Sequence, residues 1–147
     1  MHPRKYPPKY NPKTVQREQL TEPVMTLQDW SEFEEGINLF NTGRFWHAHE
    51  AWEEVWKRKW EPNRLFFQGL IHMTAAFHQL YNHKYHGVIK HSERAISKLE
   101  LFQPRFLGLD VNYLLERIQS TKEVSHTLGH DQMHEFDAAL IPVIRYH

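Results

Sequence analysis

At 147 residues, with 40% hydrophobic and 14% aromatic side chains, the chain has the length of one domain and enough apolar area for one sizeable core, which excludes a disordered protein. Its 18 basic and 18 acidic residues cancel, which argues against nucleic acid or an anionic membrane as partner and favours self-association, so a homodimer is expected. There is no Cys and hence no disulfide or thiolate chemistry, no apolar run near the ~20 residues of a membrane span, and no apolar signal core at the start, so the expected setting is the cytoplasm.

Residues 1–24 contain Pro3, Pro7, Pro8, Pro12 and Pro23 with Lys and Tyr between them. Closely spaced proline removes backbone donors and disfavours helix, so this arm is read as extended or disordered, and residues 25–147 as one helical domain. Thr26 caps a first helix, with Asp29 placed three residues on as in a capping box. Leu27, Trp30, Phe33, Ile37 and Phe40 then recur at helical spacing as an inward stripe. Gly43 suits a left-handed helix end. A second helix is predicted over about Arg44–Trp60, broken by Glu61-Pro62-Asn63, with Asn63 as cap of a third helix that runs to about Tyr81. A fourth covers about Lys84–Phe102. Asp110 caps a fifth, with Val111, Leu114, Leu115 and Ile118 inward. The polar stretch Thr121–His130 reads as a loop. A last helix starts near Asp131 and ends or kinks at Pro142. No stretch alternates with period two. The class is all-α, a compact bundle of five to six helices packed as antiparallel hairpins.

A shift of 40 residues places Phe45 on Tyr85, Ala48 on Val88, Glu53 on Glu93 and Val55 on Ala95, a faint repeat of the kind seen in stacked helical hairpins. On the second helix, at about 100° per residue, Phe45, Trp52 and Trp56 share the apolar side, and His49 and Glu53 lie four apart at its edge. Glu50, Glu54 and His47 face solvent. A half-buried Glu beside a His fixes its tautomer or raises its pKa, and either arrangement suits a ligand or a general base. The third helix is apolar around most of its circumference, with Gln68, His72 and Gln79 on the remaining side. Antiparallel packing can bring His49 and Glu53 to His78, or to Gln68 and His72.

The run Phe-Asn-x-Gly-x-Phe-x-x-Ala-His-Glu-x-x-Glu-x-x-Trp, here Phe40–Trp56, resembles the signature of the family known as domain of unknown function 309. The likeness continues through Arg64, Phe67-Gln68-Gly69-Leu70-Ile71, Ala75-Ala76 and His78, and spans about Leu27–Ile118. It implies an all-helical fold and no established activity. Its motif residues fall on His49, Glu53, Trp56, Gln68 and His78. This chain has His72 where the family usually has Gln.

Two functions fit these residues. In the first, a polar pocket between the second and third helices, lined by His49, Glu53, Gln68, His72 and His78, binds a small ligand or a divalent metal and is open to hydrolytic chemistry. His49 is then base or ligand, Glu53 its orienting carboxylate, and Gln68, His72 and His78 ligand-binding groups. A divalent metal is the only cofactor suggested, with His49 and Glu53 supplying two ligands from one helix face and His78 a third. Against it, His-Glu-x-x-His and a repeated Glu-x-x-His are both absent. In the second, the chain is a non-enzymatic scaffold or adaptor and His49–Glu53 a structural pair. His83, His86 and His91 read as surface residues; His126, His130 and His134, four apart, would form a metal-like stripe on one helix, but Gly129 and the polar composition make this a loop or helix start without a metal. Lys57-Arg58-Lys59 and Arg64 read as a solvated basic helix end.

Overall fold

Five α-helices follow one another: α1 Leu27–Asn41, α2 Phe45–Arg58, α3 Arg64–Tyr81, α4 Tyr85–Leu99 and α5 Val111–Leu128. The computed structural model describes residues 6–146; residues 1–5, Pro3 among them, and His147 lie outside the described residues. Each helix packs on the next, α1 on α2, α2 on α3, α3 on α4 and α4 on α5. The fold is therefore an all-α bundle of successive hairpins, as the periodicity predicts. Among the described residues no helix is long and apolar enough to cross a membrane.

The helix ends follow from local chemistry. The Thr26 hydroxyl accepts from the Asp29 amide at 3.0 Å and the Asp29 carboxylate accepts from the Thr26 amide at 3.0 Å, a complete capping box. The α1–α2 and α3–α4 turns are the same turn 40 residues apart. In the first, Arg44 N donates to Leu39 O at 2.9 Å and Gly43 N to Phe40 O at 3.0 Å; in the second, Lys84 N donates to Gln79 O at 2.9 Å and His83 N to Leu80 O at 3.0 Å. Both are Schellman ends with a left-handed residue after the cap, Gly43 at φ 78° and His83 at φ 57°. The faint sequence repeat is thus a repeat of hairpin geometry.

Several boundaries differ from the sequence reading. Leu27 does not point inward; it is 89% exposed, because the stripe starts only once the capped first turn has passed. Asn63 makes no side-chain cap, since its amide donates instead to Thr21 O at 2.8 Å. The expected loop at Thr121–His130 is helix as far as Leu128. Its inward positions are small and polar: Thr121 and Ser125 continue the Leu114–Ile118 side, and the Thr121 hydroxyl is satisfied by Arg117 O at 2.8 Å. Beyond Gly129 the chain forms two short 3-10 segments, His130–Glu135 and Ala138–Leu140, in place of a last α-helix. Two minimal strands, β1 Arg105–Phe106 and β2 Leu109–Asp110, pair antiparallel ahead of α5.

Helix α3 is the centre. Phe66 and Phe67 pack against Phe33 of α1, and Phe77 against Phe40. Gly36 lies under the Trp52 indole, so close that an added Cβ would stand 2.2 Å from its Nε1, and the same indole donates to Phe33 O at 3.1 Å. The basic run is not a solvated end. Asp29, 1% exposed, takes Arg58 Nη2 at 2.7 Å and Lys59 Nζ at 2.5 Å, and Arg58 also pairs with Glu32. Arg64, 3% exposed, donates to Lys59 O at 2.7 Å, Pro8 O at 3.0 Å and Trp56 O at 3.4 Å, with its guanidinium 4.1 Å from the centre of the Trp56 ring. Lys57 fits the solvated reading, exposed and paired with Glu53 and Glu54, while Arg58 is exposed as well but committed to Asp29 and Glu32. Residues 6–24 lie on the bundle with Tyr10, Val15 and Leu20 against the core, and the Tyr10 hydroxyl donates to Trp60 O at 2.7 Å. Asn41 holds the C-terminal segment through paired 2.8 Å bonds to the carbonyl and amide of Ile144.

His83 holds a conformation that suits glycine, as Gly43 does in the twin turn. His83→Gly is expected to stabilise by about 0.5–1 kcal/mol and Gly43→Ala to destabilise by about 1 kcal/mol, read from urea denaturation midpoints. Burial alone would raise the Asp29 carboxyl, but hydrogen bonds from Lys59, the Thr26 amide and Arg58 outweigh it and hold the group well below the usual carboxylate range. A depressed carboxyl contributes stability that is complete above its unfolded value near pH 4 and is lost as pH falls below that. Asp29→Asn should cost about 2–4 kcal/mol at neutral pH and flatten the acid limb of a stability–pH curve.

Candidate functional site

A cleft of about 160 Å³ opens where α2, α3 and α4 meet, lined by Phe45, Trp46, His49, Thr74, His78 and His91 among others. Its floor is Thr74, fully buried, whose hydroxyl donates to Phe45 O at 3.3 Å and ties α3 to the start of α2. Trp46 forms the mouth. It is 54% exposed, stacks on His49 with ring centres 5.1 Å apart and planes 13° apart, and lies 5.7 Å from the His78 ring.

His49 and Glu53 do meet, with Nε2 and Oε2 at 3.6 Å, and Glu53 is shared with Lys57 at 3.7 Å. The 3.6 Å separation is an ion-pair contact longer than a hydrogen bond; the negative carboxylate on that side favours the His49 proton on Nε2, which leaves Nδ1 as the acceptor. That Nδ1 is buried and has no hydrogen-bond partner. Burial without a partner is costly for a polar atom, so this nitrogen is the unsatisfied point of a residue that lines the cleft.

The remaining predicted residues divide. His78 lines the cleft, with Nε2 3.4 Å from the Asn82 amide nitrogen. His72 pairs instead with His91, Nδ1 to Nδ1 at 3.3 Å. Gln68 is half-buried on α3 and does not line the cleft. His91 is not the surface residue its sequence context suggests; it is half-buried and lines the cleft, because it flanks the inward Val88–Ser92–Ala95 stripe of α4. Trp46 was invisible as a site residue, because one aromatic at a helix start carries no pattern. Among the described residues no three His, Asp or Glu side chains are grouped so as to hold a metal ion, so His49, Glu53 and His78 do not form a three-ligand set.

The neighbouring imidazoles are held in their neutral form. Burial, then Lys98, His91, Arg94 and His49, push the His72 imidazole down to about 3. Burial, Arg94, Lys90 and His49 lower His91, and burial with Arg94 lowers Lys98. At neutral pH the two imidazoles are thus a neutral pair, one donor and one acceptor, beside a cationic edge of α4. Elsewhere, His126 Nδ1 lies 2.8 Å from the Tyr85 hydroxyl, His130 is exposed beside Asp131, and His134 is exposed, so these three form no ligand stripe.

Residues 33–91 match the model of a family described as a domain of unknown function, DUF309. No curated protein and no solved structure matches the chain. The matched span holds every cleft residue named above and ends before α5.

A His whose folded pKa is depressed contributes stability that is complete above its unfolded value of 6.5 and is lost as pH falls toward about 3. His72→Gln, which installs the residue usual in the resembled family, removes that proton uptake. The variant should match the parent at pH 8 and exceed it at pH 4.5, by about 1–2 kcal/mol in urea denaturation.

Proposed function

Taking residues 33–91 as a DUF309 domain, we propose that the chain is a binding protein whose α2–α3 cleft takes a small, planar group carrying an N–H or O–H donor. The single observation that supports this is the buried, unpartnered Nδ1 of His49, oriented by Glu53 from the other side of the ring. The donor of the ligand fills that nitrogen. Its flat face rests on Trp46, and His78 and Thr74 bound it laterally. His72 acts one step away, by holding His91 at the cleft wall. With only about 160 Å³ available, the group is a headgroup or a fragment-sized molecule and not a cofactor. The same geometry serves proton transfer: His49 Nδ1 receives a proton from the bound group or from a water, and Glu53 stabilises the imidazolium. Hydrolysis is one reaction that this dyad would support.

A second reading, a helical scaffold with His49–Glu53 as a structural pair, is favoured by the repeated hairpin turn, a feature of stacked-repeat adaptors. The two readings separate in one experiment. Pyrazole, which carries an N–H, and its N-methyl derivative, which does not, are titrated into isotope-labelled protein. The binding reading expects saturable shifts at His49, Thr74 and His78 with pyrazole, about tenfold weaker with the methylated probe, and none in His49→Ala. If neither probe shifts these residues and His49→Ala only lowers the melting temperature, the scaffold reading stands.

A further inference from the structure

A second cleft, of about 400 Å³, lies outside the matched span, between the β1–β2 turn, the first turns of α5 and the C-terminal segment. Its volume is within the ~300–1,000 Å³ typical of ligand pockets. Leu109, Leu114 and Ile144, all at most 4% exposed, supply an apolar floor. Its walls are fixed from three sides. β1 and β2 pair through Phe106 and Leu109, an isolated bridge joins Leu109 to Tyr146, and Asn41 clasps Ile144 with two bonds of 2.8 Å. The cleft is therefore preformed.

Its rim is cationic. Arg105 and Arg145 both line it and both are exposed. Arg105 makes one 3.3 Å bond to Gly108 O; neither guanidinium has a carboxylate partner among the described residues. The one acid at the rim, Asp110, already accepts from Tyr113 N at 3.0 Å as the α5 cap, and the positive end of that helix offsets its charge. Two guanidiniums against one committed carboxylate leave the rim net positive. Tyr113, 37% exposed, adds an aromatic edge and a hydroxyl.

From this combination we propose that the cleft is a binding site for an amphipathic carboxylate, an organic acid with an apolar body. The body lies on Leu109, Leu114 and Ile144, and the carboxylate is taken by Arg145 and Arg105. Guanidinium suits this role, because its planar fork matches a carboxylate with two parallel N–H bonds. The apolar floor excludes acids without a hydrophobic body, and the cationic rim selects against uncharged analogues. This site does not depend on the α2–α3 cleft and reports from different residues.

The test uses hydrocinnamate, hydrocinnamyl alcohol and acetate as probes on the full-length, isotope-labelled protein. Saturable amide shifts at Leu109, Tyr113 and Ile144 with hydrocinnamate are expected, with Kd below about 1 mM. Alcohol and acetate should each bind at least about tenfold more weakly. Arg145→Gln, at an exposed residue without a partner in the described structure, should weaken hydrocinnamate by about tenfold with an unchanged melting temperature. Equal binding of acid and alcohol would overturn the proposal, as would shifts that fail to saturate or an undiminished Arg145→Gln. The wild-type comparison of acid with alcohol decides the matter even if the variant proves unstable.

Discussion

The end of α2 is where the bundle is held in register. Its last carbonyls have no partners within the helix, and three cationic residues, Arg58, Lys59 and Arg64, crowd around them. Arg64 resolves both problems by placing a guanidinium on Trp56 O and Lys59 O while lying over the Trp56 ring. Asp29, reaching across from the first turn of α1, gathers Arg58 and Lys59. A guanidinium buried without a carboxylate is tolerable only because three carbonyls and an aromatic face replace its water. The arrangement binds α1, α2, α3 and, through Pro8, the N-terminal segment to one point.

That point fixes the angle and height of α2 on α3, and the α2–α3 cleft is a consequence of it. Thr74 O–H on Phe45 O marks the opposite end of the same contact. Between the two anchors, His49 is brought to the helix interface with one nitrogen turned outward to Glu53 and the other inward. Burial, reinforced by the cationic edge of α4, keeps the adjoining His72–His91 pair neutral.

The order and type of the helices were legible, because apolar spacing, the Thr26–Asp29 box and the Gly43 turn are local signals. The 40-residue repeat was legible too, although only the bond pattern reveals how closely Asn82-His83-Lys84 copies Thr42-Gly43-Arg44. The last turns of α5 were not, because Thr121 and Ser125 are inward residues that look like loop residues when polarity alone is read. In the site, the His49–Glu53 contact follows from helix spacing and was foreseeable. The partition of the other polar groups was not. Whether His72 meets His49 or His91 depends on the α3–α4 crossing, which no single helix encodes. The structural use of Arg58, Lys59 and Arg64 was hidden for the same reason: their partners lie about 30 residues away or on backbone carbonyls.

The Asn41–Ile144 clasp differs in kind from the rest of the packing. Helix pairs that are neighbours in sequence close short loops, which costs little chain entropy and allows rapid formation. The clasp joins residues 103 positions apart and can form only once both ends of the bundle are in place. Closing so long a loop carries a larger entropic cost than closing a local hairpin. The C-terminal segment it retains forms one wall of the larger cleft, so that cleft exists only while the clasp is closed. Any occupant there binds only the closed form and so stabilises the clasp by mass action.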